Sequence, residues 1–200
     1  ITTVFTGDGR YHLSSLSQAV PASEFSSALC SSLEDAVRRV RQDFNWQPGE
    51  QLRLIFHAFK DFKEAEADSV RHVMEGLREF AVEYAFVHVI DHHPFAVFDE
   101  LQEGASDASG RGKKGVYAPR RGQFVRLSPS EVLLTLTGAR EVKQASDGLR
   151  PPVLLKLHRK STFTDTTYLA RQVLTFASHS WRSFFPSPTP VTIMYSELVA

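Results

Sequence analysis

The sequence predicts an α/β domain built on a mixed sheet with helices on both faces. Apolar runs of strand length alternate with segments whose apolar residues recur every three or four positions. One run, residues 53–90, reads strand, helix, strand, which implies a parallel pairing because parallel neighbours need a long crossover. From residue 116 onward the chain turns instead to short β segments separated by turns. With 200 residues, 42% hydrophobic and 11% aromatic, there is material for one domain with a sizeable core, and overall disorder is excluded.

Taken in order, residues 2–6 and 11–14 read as two strands joined by Gly7-Asp8-Gly9-Arg10, a turn rich in residues that tolerate positive φ. Phe25, Leu29, Leu33, Val37 and Val40 keep to one face of a helix starting near Ser23, which should pack on a sheet, and Gln47-Pro48-Gly49 marks the loop after it. Residues 53–59 form an apolar strand, 64–80 a helix with Val70, Val73, Met74 and Leu77 inward, and 83–90 another strand. Residues 102–115, QEGASDASGRGKKG, are polar and glycine-rich and read as a mobile surface loop with a basic end. Strands are expected at 116–118, 123–127 and 132–137, then a turn at Asp147-Gly148 and a strand at 153–158. Leu169, Val173, Phe176 and Ala177 define a last helix with Asp165 as its N-cap, and Ser180-Trp181-Arg182 puts a guanidinium where that helix gives way to a Pro-rich turn. No internal repeat is visible.

The 23 basic residues are balanced by 23 acidic ones, so any nucleic-acid binding must come from clustered charge and not from the mean field. The single cysteine, Cys30, lies among apolar helix positions, reads as a small buried hydrophobe and suits a reducing interior; the expected location is cytoplasmic. No apolar run is long enough to span a bilayer, so no membrane partner is expected. The start at Ile1 without Met is expected to mark a piece of a longer chain.

The segment STFTDTTYLARQVLTFASHSWRSFFPSPTPVTIMYSELVA, residues 161–200, resembles the end of an Argonaute PIWI domain. Upstream, GVYAPRRGQFVRLSPSEVLLTLTG followed by LLKLHRKSTFTD is similar to the order of strands and turns in bacterial Argonaute proteins. The resemblance implies that residues 1–200 are one PIWI domain of ribonuclease H-like architecture, lacking its first strand and extreme C-terminus. It further implies guide-directed nucleic-acid binding in prokaryotic defence, with RNA or DNA as guide and target. Implied partners are the guide, its complementary target, the MID domain of the same protein and an associated effector protein. Arg182 matches the family arginine that touches the guide-strand backbone, and Tyr195 falls in the segment beside that strand. The other expected phosphate contacts are Lys60 and Lys63 after the 53–59 strand, Arg120 and Arg121 in the APRRG turn, and Arg159 with Lys160.

Family members that cut hold two divalent metals on acidic residues, with Asp or His in the fourth place. The third position follows RLIFHAFK and here holds Ala58 or Phe59, neither of which can ligate a hard cation; the nearest acid, Asp61, falls two or three residues further on. The first position would precede Ile1. The second would fall near Pro21, where Glu24 is the nearby acid and reads as a first-turn residue favoured by the helix dipole. The fourth falls on Glu197. Glu24 and Glu197 are weak remnants, and the expectation is a catalytically inactive domain with no metal or other cofactor in these residues. Two alternatives stay open. An active nuclease would use Mg²⁺ or Mn²⁺ on Glu24, Asp61, Glu197 and an upstream aspartate; an interaction module would keep the fold and lose the ligand. VIDHHPF also places Asp91, His92 and His93 after an apolar strand, as in the DHH manganese phosphoesterases, but the D-x-D pair and the glycine-rich, histidine-bearing segment of that family are missing.

Overall fold

The structure, a computed structural model, describes residues 2–15, 18–106, 109–111, 113–142, 149–179 and 186–194. Strands β1 (Thr2–Phe5) and β2 (Tyr11–Ser15) form an antiparallel hairpin. Its turn needs Gly9 at φ 89, where a side chain would also strike the His179 ring. After a 3₁₀ turn, Ala22–Glu24, comes α1 (Phe25–Phe44), which stops at Asn45 in the left-handed region at φ 50. Then follow β3 (Gln51–Ala58), α2 (Glu64–Glu75) and β4 (Ala81–Ile90), with β3 and β4 parallel as the strand, helix, strand pattern requires. The second half supplies β5 (Ala105–Ser106), β6 (Lys113–Lys114), β7 (Phe124–Ser128), β8 (Glu131–Leu134), β9 (Val153–Leu157) and α3 (Thr166–Ser178).

The main sheet runs β3-β4-β9-β8-β7, and every pairing after the first is antiparallel. It is a mixed sheet in the ribonuclease H-like manner. Period-two alternation on β4 divides the core: Tyr84 and Phe86 join the cluster under α1 and α2, whereas Ala85, Val87 and Val89 join the cluster under α3. Phe86 is fully buried among Phe56, Phe62, Tyr84 and His158, a burial that stabilises by about 1.5–3 kcal/mol. On the other face Val173, Leu169 and Ala177 of α3 do the same against β8 and β9.

Four details differ from the sequence reading. Helix α1 rests on α2 as much as on the sheet: Cys30 Sγ lies 3.6 Å from the Ser69 carbonyl, and Leu33 is buried with Val70 and Phe86. Helix α2 ends at Glu75 because Gly76 follows, although Leu77 stays buried as expected and Phe80 is buried beyond it. Residues 116–118 are no strand. Gly115 and Tyr117 both have positive φ, 63 and 61, and Tyr117 pairs its backbone with Gln102 and Asp99 instead. The 102–115 segment carries the small β5–β6 ladder and is more than a loop. The turn expected at Asp147-Gly148 lies outside the described residues.

Candidate nucleic-acid interface

The cationic candidates fall into two groups, one at the C-terminal end of α3 and one around the first turn of α2. Asp165 caps α3 as its sequence position implies, accepting the Thr167 and Tyr168 N–H groups at 2.9 and 3.0 Å. Thirteen residues make a helix about 20 Å long, so groups at the two ends do not share one phosphate.

At the C-terminal end, Arg121 donates through Nε to the Leu136 carbonyl at 3.2 Å and through Nη2 to Ser178 Oγ, on the last residue of α3. Both partners are neutral, so the charge is held in place and not cancelled. Arg120 beside it is exposed and reaches Asp99 only at 3.9 Å. The next turn of sequence holds Ser180, Trp181 and Arg182, which lie outside the described residues, as do Tyr195 and Glu197. Underneath, His57 of β3 packs edge-on against Phe176 of α3 and meets Thr192 Oγ1 through Nδ1 at 2.8 Å. Its Nε2 is buried without a partner among the described residues, and burial pushes the imidazole down to about 4.

The other group surrounds the first turn of α2. Lys60, Lys63, Arg159 and Lys160 are brought together, but three of the four are matched by carboxylates. Arg159 donates to Glu64 Oε1 through Nη2 at 2.9 Å and Nε at 3.1 Å, and Lys160 Nζ reaches Glu64 Oε2 and Asp68 Oδ1, each at 2.7 Å. Lys60 Nζ lies 3.2 Å from Glu66, whose other oxygen accepts the Lys63 backbone N–H at 3.1 Å. The hydrogen bond from Lys160, then that from Arg159, holds the Glu64 carboxyl at about 2, and Lys160 likewise holds Asp68 below its ordinary value. Lys63 has no ion-pair partner among the described residues.

The positions that would carry metal chemistry are dispersed. Ala58 is the last residue of β3, Phe59 points partly to solvent, and Asp61 accepts from His88 Nδ1 at 2.8 Å with Lys156 4.0 Å away. Glu24 is exposed in the 3₁₀ turn; next to it the Phe25 ring carries the Lys60 ammonium 5.2 Å from its centre, a cation and not a carboxylate cluster. Among the described residues no three His, Cys, Asp or Glu side chains converge as a metal would need. His92 is almost wholly exposed beside Asp91. His93 uses both ring nitrogens: Nε2 donates to the Pro152 carbonyl at 2.7 Å and Nδ1 accepts the Phe95 N–H at 3.2 Å, leaving no lone pair for a metal.

Sequence reasoning missed two residues. His57 carries no signal in a strand that reads simply as apolar. Arg126 of β7 lines an open cleft of about 570 Å³ with Ser130, His158, Arg159, Asp165 and Thr166, a wall assembled from two separate segments.

No family model matches the chain. Over its whole length the chain is 40% identical to Protein argonaute of Cereibacter sphaeroides, of which it spans 26%. Among solved structures it is similar to Clostridium butyricum Argonaute bound to a guide DNA (5′ deoxycytidine) and a 19-mer target DNA, with TM-score 0.62 and 10% identity over 86% of this chain and 20% of that one. It is similar to Aquifex aeolicus Argonaute with TM-score 0.61 and 16% identity over 90% of this chain and 21% of that one. For Aa-Ago with externally bound siRNA the values are 0.53 and 15% over 86% and 21%. At such identities these structures speak to the fold.

Proposed function

This chain belongs to the Argonaute family as a PIWI-like domain of the prokaryotic kind, and from that premise we propose that it holds a short guide strand paired to its target without cutting the target. The observation that carries the reading is the end of β3. In this reading the place of the third metal-binding carboxylate falls on Ala58 or Phe59, where β3 ends; it is supported by the acid further along, Asp61, being engaged by His88 at 2.8 Å. A two-metal centre needs carboxylate oxygens free at the strand end, and losing one removes the clamp on attacking and leaving oxygens. Holding a strand needs no metal in these residues; it needs fixed cations. Arg182 leads these by its place in the sequence, and Arg121 and Arg120 lie toward the C-terminal end of α3. Such contacts position a backbone without reading bases, so target choice passes to base pairing between guide and target. In this reading the protein acts in the cytoplasm, its MID domain grips the guide's 5′ end, and an associated effector acts on invading nucleic acid because this domain does not cut.

The test uses the full-length protein with Mg²⁺ or Mn²⁺, a 5′-phosphorylated guide and a labelled complementary target, following binding and cleavage together. Guide-dependent binding without a cut, weakened by Arg182→Ala, is the expected result. A single guide-positioned cut would establish an active nuclease in its place, and absence of binding would leave an interaction module.

A further inference from the structure

Strand β7 is the last strand of the main sheet, and its outer edge is unpaired among the described residues. Most edge strands are short, charged or covered; this one reads FVRLS, with Phe124, Val125 and Leu127 exposed at 40%, 39% and 41%. The ladder to β8 fixes which backbone groups point outward. Phe124 opposes Leu134, Val125 opposes Leu133 and Arg126 opposes Val132, while the Thr135 N–H donates to the Gln123 carbonyl at 3.0 Å. Gln123 and Val125 therefore occupy the hydrogen-bonded positions toward β8, and the N–H and C=O groups of Phe124 and Arg126 face outward. Their side chains lie on the α3 face, where Arg126 donates to a neutral hydroxyl, that of Thr167 at 3.3 Å.

We propose that this edge pairs with the same edge of a second copy, β7 against β7 antiparallel about a two-fold axis through Val125. The occupant follows from self-complementarity. With the axis at Val125, Phe124 of each copy falls opposite Arg126 of the other, and these are the residues whose outward N–H and C=O groups can close hydrogen-bonded pairs. Each guanidinium then meets an aromatic ring, so no like charges stand opposite one another. The two Val125 side chains form the non-hydrogen-bonded pair at the centre, covering apolar surface on the opposite face. The bulge between Arg126 and Ser128 ends the flat edge after three residues, so the association is expected at micromolar and not nanomolar concentration. Arg126 bonds the first turn of α3, whereas Arg121 lies at its far end, so this pairing leaves that arginine of the guide-holding reading uncovered.

The experiment measures the mass of the full-length protein by sedimentation equilibrium across the micromolar range, with guide binding recorded separately. A concentration-dependent dimer is expected. Val125→Lys, which puts two ammonium groups face to face, should weaken it at least about tenfold while guide affinity stays unchanged. Val125→Cys should give a disulfide-linked dimer on mild oxidation, because non-hydrogen-bonded partners sit about 4.5 Å apart at Cα; Gln123→Cys and the unsubstituted protein should not. A monomer at every concentration, a dimer indifferent to Val125→Lys, or no Val125→Cys cross-link would each overturn the proposal and leave the guide-holding reading untouched.

Discussion

The cations around the first turn of α2 and those at the C-terminal end of α3 are treated in opposite ways. At the first turn of α2, Arg159, Lys160 and Lys60 each meet a carboxylate within hydrogen-bonding reach. At the C-terminal end of α3, Arg121 is fixed by a carbonyl and a hydroxyl, over a buried histidine that stays neutral. An arginine held by neutral partners keeps its field for a ligand. One held by glutamate ties two elements together and has little left to offer a phosphate, so proximity of cations in sequence does not by itself mark a binding surface.

The largest expected effect tests the C-terminal end. Burial holds His57 at about 4 against an ordinary 6.5, so between these values the unfolded chain binds a proton that the folded chain refuses. Stability should be full above pH 6.5 and fall by about 3 kcal/mol as pH drops through 4. Denaturant midpoints from pH 7 to pH 4 measure this, and His57→Gln should flatten the slope; an unchanged slope would mean that the ring is not enclosed. Next in size, Arg120→Ala with Arg121→Ala should weaken guide-dependent target binding about tenfold and lower the salt slope by about two, one per phosphate released. Arg159→Ala with Lys160→Ala should leave both quantities nearly unchanged, and the reverse pattern would invert the comparison. The smallest effect belongs to Glu64→Gln. Its carboxylate, held at about 2 by Lys160 and Arg159, stabilises the fold above pH 4.5, and that contribution is lost as pH falls through 2. The variant should therefore melt slightly lower than the parent at pH 7, less so in high salt, and alike near pH 2.

Most of the fold was legible because its signals are local. The glycine turn of the hairpin, the parallel β3–α2–β4 unit, the β7–β8 hairpin and the Asp165 cap each rest on residues a few positions apart. The exceptions have local causes as well: Gly76 ends α2 one turn early, and Tyr117 takes a backbone conformation that no residue-type preference announces. The site was less legible. Arg159 and Lys160 were found as cations, but their neutralisation depends on Glu64 and Asp68, some 90 residues away in sequence. Ala58 is the last residue of β3, as the apolar run implies, while the His88 bond to Asp61 joins β4 to the loop after β3 and has no trace in either segment alone.

The order of strands in the sheet has a further consequence for synthesis. Strand β4 sits between β3, its neighbour in sequence, and β9, which begins only at Val153. As the chain leaves the ribosome, the β3–α2–β4 unit can close early, but the far edge of β4 then waits for about 60 more residues, roughly 3–12 s at ~5–20 residues per second. For that interval Val87 and Val89, later among the most buried side chains of the domain, are bare beside an open strand edge. Slowed translation between Ile90 and Val153 would lengthen that window, which makes this stretch of the message the place where nascent-chain aggregation is decided.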